Sequence, residues 1–90
     1  MLNTSEMRVV LLERKKFFEE RVNRIAERTE SKELNCTEGL MKIAARRAEY
    51  KGMLSYAESI GVITSEEYNY LYDESNRWAD VIWNMSNVHK

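Results

Sequence analysis

Apolar residues recur three and four positions apart along most of the chain, and that spacing predicts three helices. The first is expected from about Ser5 to Thr29, with Ser5 or Thr4 as its cap. Leu11, Phe18, Val22, Ile25 and Thr29 share one face, Met7 lies above them, and Val10 and Phe17 widen that face. The second is expected from Cys36 or Thr37 to Ile60, with an inward stripe of Leu40, Ile43, Tyr50, Leu54 and Ala57 interrupted by Arg47. Beside it, Ala44, Ala48 and Gly52 stand four apart, a row of small residues that reads as a packing groove for a neighbouring helix. The third is expected from about Ser65 to Asn87, where Tyr68, Leu71, Ser75, Trp78, Ile82 and Met85 form one stripe broken by Ser75.

Local chemistry sets the boundaries. Gly61 is placed to take the left-handed conformation that ends a helix. Thr64 and Glu67 then make a capping box, and Ile63 and Tyr68 occupy the positions of a hydrophobic staple. Asn35 and Glu38 repeat the capping pattern before the second helix, and the polar stretch Glu30–Asn35 forms the first turn. Helices of similar length joined by short loops predict an all-α, antiparallel three-helix bundle over residues 1–90 as one domain. A bundle in which the first helix packs on a second copy of the chain satisfies the same pattern.

Composition agrees: the chain of 90 residues has no proline and three glycines, and helix interiors disfavour both residue types. The longest apolar run near the start, Val9-Val10-Leu11-Leu12, is far short of a membrane span or the apolar stretch of a signal peptide, so a cytoplasmic location is expected. One cysteine, Cys36, excludes an internal disulfide and is expected as a partly buried residue at a helix start.

Catalytic patterns are absent from the sequence. His89 is the only histidine, next to the chain end, and no residue spacing supplies a triad, a Cys-His pair, a Glu-x-x-His metal motif or a glycine-rich phosphate loop. No cofactor and no metal are expected, and the chain reads as a non-enzyme.

Charge and aromatic residues point to binding. The net charge is −1, but its distribution is uneven: +2 over Ser5–Thr29, +1 over Cys36–Gly61 and −4 over Ser65–Asn87. Arg14, Arg21, Arg24 and Arg28 lie near one edge of the first helix, and Lys42, Arg46, Arg47 and Lys51 form a second basic set. These side chains either pair with Glu20, Glu27, Glu49 and the acidic third helix or hold nucleic-acid phosphates. If Tyr68, Tyr72 and Trp78 face inward, Tyr70 and Trp83 look outward, since residues two apart face about 200° apart on a helix and Trp78 and Trp83, five apart, cannot share one narrow stripe. A core widened on two flanks of the bundle takes up the same aromatic residues instead.

The segment from Arg46 to Tyr68, with Tyr50-Lys51-Gly52 on one helix and Gly61-Val62-Ile63-Thr64-Ser65-Glu66-Glu67-Tyr68 at the turn, resembles the helical hairpin of small accessory proteins of phages and mobile elements. The resemblance implies an anti-CRISPR or other anti-defence inhibitor that binds a host effector without catalysis. It supplies no site residues.

Three functions remain open at this level. One is a protein-binding module, plausible as an inhibitor of a host nucleic-acid-handling protein, using Tyr70, Asp73, Glu74, Arg77 and Trp83. A second is a nucleic-acid-binding domain using Arg14, Arg21, Arg46, Arg47 and Lys51. The third is a homodimer assembled through the surplus aromatic residues.

Overall fold

The computed structural model describes the backbone from Asn3 to Val88 and the side chains from Asn3 to Met85, so His89 lies outside the described residues. Its elements are α1 (Thr4–Glu30), α2 (Cys36–Ser59), α3 (Ser65–Glu74), a 3₁₀ turn (Ser75–Ala79) and α4 (Asp80–Val88). The last three follow one another without a break and make one rod, so three helical rods pack against each other with extents of 49 × 22 × 14 Å. All three come from one copy of the chain, and the first rod packs on the second and third within it.

The helix starts follow the capping chemistry. Asn35 accepts from Glu38 N–H and Thr64 from Glu67 N–H, and in each case the glutamate returns a bond to the cap's own N–H. The first helix is capped one residue earlier than Thr4: Asn3 Oδ1 accepts from Glu6 N–H at 2.9 Å, and its amide also holds Glu6 Oε1 at 2.8 Å. Gly61 takes the left-handed conformation at φ +79°, and Ile63 and Tyr68 pack in one apolar cluster beyond it. The first turn differs from its polar reading. Lys32 adopts φ +67°, and that bend lets Leu34 fold back into the interior as a buried residue.

The core has two apolar clusters. Leu11, Tyr50, Leu54, Ala57, Val62 and Ile63 fill one end, and Val22, Ile43 and Ile82 fill the other. Trp78 packs against both. Between them each rod contributes one ring: Tyr50 stands 5.4 Å from Phe18 and 4.9 Å from Trp78, centroid to centroid, within the range of favourable aromatic pairs.

Two expectations about packing are corrected. Ala44, Ala48 and Gly52 are exposed, and a Cβ built on Gly52 meets nothing within 4 Å. The row lies beyond the edge that contacts the third rod, since each residue step turns the helix by about 100°. The close approach occurs at buried Gly39 instead, where a Cβ would come within 2.8 Å of Ile82 Cδ1 and closer still to Thr29 Oγ1. Val10 and Phe17 do not widen the core face; both are exposed, because α2 and the third rod leave room for only one inward line on α1.

The third rod is one continuous helix in the sequence pattern and three segments in the structure. Its inward residues from Tyr68 to Met85 span seventeen steps over five turns, tighter than an α-helix winds. At about 100° per step an α-helix would fall about 100° short of five turns. The five 3₁₀ residues, wound at about 120° per step, restore the difference. The overwinding therefore keeps Tyr68, Ser75, Trp78, Ile82 and Met85 pointed at the core.

Candidate functional site

The overwound turn also shapes the outer side of the third rod. On an unbroken α-helix Trp83 would lie about 220° round from Tyr70. The 3₁₀ residues carry it to about 320°, which is the same side, roughly 22 Å further along the axis. Tyr70 and Trp83 are 68% and 54% exposed. Tyr70, Asp73, Glu74 and Arg77 together border a shallow depression of about 200 Å³. The structure thus brings four of the five expected protein-binding residues to one spot, and the winding of the rod turns exposed Trp83 toward the same side further along.

Glu74 has a second role. Its carboxylate accepts from Lys15 Nζ of α1 at 2.7 Å, which raises the Lys15 pKa, while partial burial opposes the rise. Glu74 therefore ties the rods together, and Asp73 is the exposed acid of this group.

Tyr70 also borders an apolar groove between α1 and α3, of about 360 Å³, lined by Leu11, Leu12, Ile63 and Leu71. Arg8 closes the groove at one side. Its guanidinium grips Glu67 with two bonds of 2.7 and 3.2 Å and donates to Val62 O at 3.0 Å. That bidentate bond, with the backbone N–H at the cap, holds the Glu67 carboxyl well below its usual range, at about 2.

The alternative basic set does not form one surface. Arg21 and Arg46 line a groove between α1 and α2. Arg14 borders a separate apolar groove with Met7, Val10, Met53, Tyr56 and Ile60. Arg47 and Lys51 face the third rod: the Arg47 guanidinium lies 4.2 Å from the Tyr72 ring centroid and the Lys51 ammonium 5.4 Å from it. Of the acids expected to neutralise these groups, Glu49 pairs with Arg46 at 2.9 Å. Among the described residues Arg47 finds a hydroxyl, a carbonyl and an aromatic face instead of a carboxylate.

Two surface features escaped the sequence reading. Leu12, Val9, Tyr56 and Ile60 are exposed at the end of the bundle where α1 begins and α2 ends. The signal was the run Val9-Val10-Leu11-Leu12, since four consecutive residues cannot all face one side of a helix. The other is the grouping of Arg24, Arg28 and Lys42 with Arg21 and Arg46. Their edges were legible, but not that the two edges face each other.

Among the described residues, no group of three His, Cys, Asp or Glu side chains is placed to hold a metal ion, and no helix is long and apolar enough to cross a membrane. Cys36 is a free, partly buried thiol at the first position of α2. No protein-family model, curated protein or solved structure matches this chain.

Proposed function

We propose that this chain is a non-enzymatic protein-binding module that contacts its partner through the outer strip of the third rod. One observation carries the reading: Tyr70 and Trp83 are both more than half exposed on the third rod, and the winding of the 3₁₀ residues turns them toward one side, with Asp73 and Arg77 between them in the chain. Tyr, Trp and Arg are the residues that dominate protein interfaces, and burying two large rings accounts for a large share of a moderate affinity. The adjoining groove of Leu12 and Leu71 extends the strip with apolar surface.

The acidic charge of the third rod suits a partner with a basic surface, such as a nucleic-acid-handling protein of the host cytoplasm. The likeness of Arg46–Tyr68 to phage and mobile-element accessory proteins supports an inhibitory, anti-defence role. In such a role occupancy of the partner's surface is the whole mechanism.

The test is paired capture from a bacterial lysate with the wild-type chain, the Tyr70→Ala/Trp83→Ala variant and a Met41→Ser control, whose side chain is exposed on α2. Loss of a captured protein in the double variant, at about 30-fold or more for a ring worth about 2 kcal/mol, with retention in the control, supports the strip. Equal capture by all three overturns it. Recovery of nothing but the chain itself would make the strip a homodimer surface and end the inhibitor reading.

A further inference from the structure

On the side formed by α1 and α2, with no residue of the third rod in its lining, lies a groove of about 470 Å³. Arg21, Arg24 and Arg28 descend one wall, and Lys42 and Arg46 stand on the other. The remaining lining is apolar, Ile25, Met41 and Ala45, so five cations converge with no carboxylate among the lining residues. Among the described residues no carboxylate oxygen lies within 4.0 Å of Arg21, Arg24 or Lys42. Arg28 and Arg46 do have partners, Glu33 at 3.2 Å and Glu49 at 2.9 Å; the first pair is exposed and the second is exposed mainly at Glu49, and ion pairs open to solvent are worth little.

Arg21, Arg24 and Lys42, held beside two further cations whose pairs lie outside the groove lining, repel one another, and an external polyanion relieves the repulsion. Three features choose among polyanions. The cations form rows: along α1 the steps from Arg21 to Arg24 to Arg28 are roughly 4.5 and 6 Å, which suits successive charges of an extended strand. The groove is a concave trough between two helices, which receives a thin strand rather than the convex face of a duplex. Finally, Phe17 stands exposed one turn before Arg21 on the same edge, with the Arg21 guanidinium 5.9 Å from its ring centroid. A basic trough with an exposed ring at its end is the arrangement that holds single strands, phosphates in the trough and a base on the ring.

We infer that the α1–α2 groove binds single-stranded nucleic acid through its phosphodiester backbone, on a surface separate from the outer strip of the third rod. The experiment is fluorescence anisotropy with labelled, mixed-sequence oligonucleotides of about 12 nucleotides, a length within the range such surfaces cover, as DNA and as RNA, over a salt series. Binding of either strand, with a log–log salt slope of about −3 for four phosphate contacts, is expected. Arg24→Glu/Lys42→Glu lowers affinity tenfold or more. Lys16→Glu/Lys32→Glu, the same charge change on exposed residues outside the groove lining, leaves it within about threefold, as a salt-screened effect at a distance should. Phe17→Ala weakens binding without changing the salt slope.

Circular dichroism of each variant confirms an unchanged helix content, and Arg24→Gln/Lys42→Gln supplies a milder second pair. The Tyr70→Ala/Trp83→Ala variant retains strand binding, so failure of this groove and failure of the strip are told apart. No complex at the lowest salt, equal loss in the groove and control variants, equal affinity for a duplex of the same length, or full displacement by polyglutamate would each overturn the assignment.

Discussion

Arg47 and Ser75, the two polar residues that interrupt the apolar stripes of α2 and the third rod, are bonded to each other, Arg47 Nε donating to Ser75 Oγ at 2.8 Å. Ser75 in turn donates to Tyr72 O at 2.5 Å, and Arg47 Nη2 reaches the same carbonyl at 3.4 Å. Side chains that engage a helix carbonyl draw it away from its i+4 backbone donor, and the helix tightens to 3₁₀ geometry at this point. Each break in the pattern is thus the other's partner, and together they hold the winding that keeps Trp78 and Ile82 on the core.

A double-mutant cycle tests this. Ser75→Ala leaves Arg47 Nε without its acceptor and is expected to cost about 1–2 kcal/mol. Arg47→Met removes the donor and the contact with the Tyr72 ring, at about 2–3 kcal/mol. Because both act on one network, the double variant should fall short of the sum by more than about 0.5 kcal/mol in urea unfolding. Additive losses would show that the two residues stabilise the fold independently.

The three glycines should respond to alanine with different signs. Gly52→Ala adds a methyl in open space on a helix and is expected to stabilise by up to about 1 kcal/mol. Gly39→Ala forces a methyl against Thr29 and Ile82 and should cost about 1–3 kcal/mol. Gly61→Ala places a side chain at positive φ, with a loss of about 1 kcal/mol. Thermal unfolding of the three variants checks the order, and a stabilising Gly39→Ala would contradict the close packing of the rods there.

Much of the fold was legible because its signals are local. Asn35 with Glu38, Gly61, and Thr64 with Glu67 act within one turn, so reading the chain in order finds them. Arg47 and Ser75 were visible as interruptions but not as partners, because they lie far apart in sequence. The 3₁₀ turn was present in the spacing from Tyr68 to Met85, which is shorter than the α period, but a helical stripe tolerates that drift over a few turns. Leu34 is a single apolar residue in a polar stretch, and only the left-handed Lys32 sends it inward. For the site, Tyr70 was legible as outward only on the condition that Tyr68 and Tyr72 turn inward. Its union with Trp83 on one side depended on the overwinding, and the pairing of Arg21 and Arg24 with Lys42 on which flanks of α1 and α2 meet.

The Arg8–Glu67 pair predicts an acid limb in stability. The Glu67 carboxyl sits at about 2 in the folded chain against 4.5 as its ordinary value, so the folded state favours the ionised form. Its contribution is complete above about 4.5 and is lost as pH falls from there toward about 2, because the unfolded chain takes up the proton first. Glu67→Gln should flatten the pH dependence of unfolding in that window, and Arg8→Met should flatten it in part, since the Thr64 cap remains. An unaltered acid limb in Glu67→Gln would place the dependence elsewhere.

Tyr50 makes the opposite prediction at high pH. Its side chain is 1% exposed, ringed by Phe18 and Trp78, and its hydroxyl has no hydrogen-bond partner among the described residues. Burial raises its pKa, and the carboxylates of Glu74 and Glu19 add to the rise. The folded state therefore keeps the phenol neutral where the unfolded chain ionises it, and stability should decline as pH climbs above about 10. Tyr50→Phe removes both the unpaired hydroxyl and the titration while keeping the ring stack. It is expected to be neutral or stabilising by about 1 kcal/mol at pH 7, since a buried polar group without a partner is itself a loss. Above pH 10 its advantage over the wild type should widen. A destabilised Tyr50→Phe at neutral pH would show that the hydroxyl is satisfied, by a carboxylate or by solvent, within the folded protein.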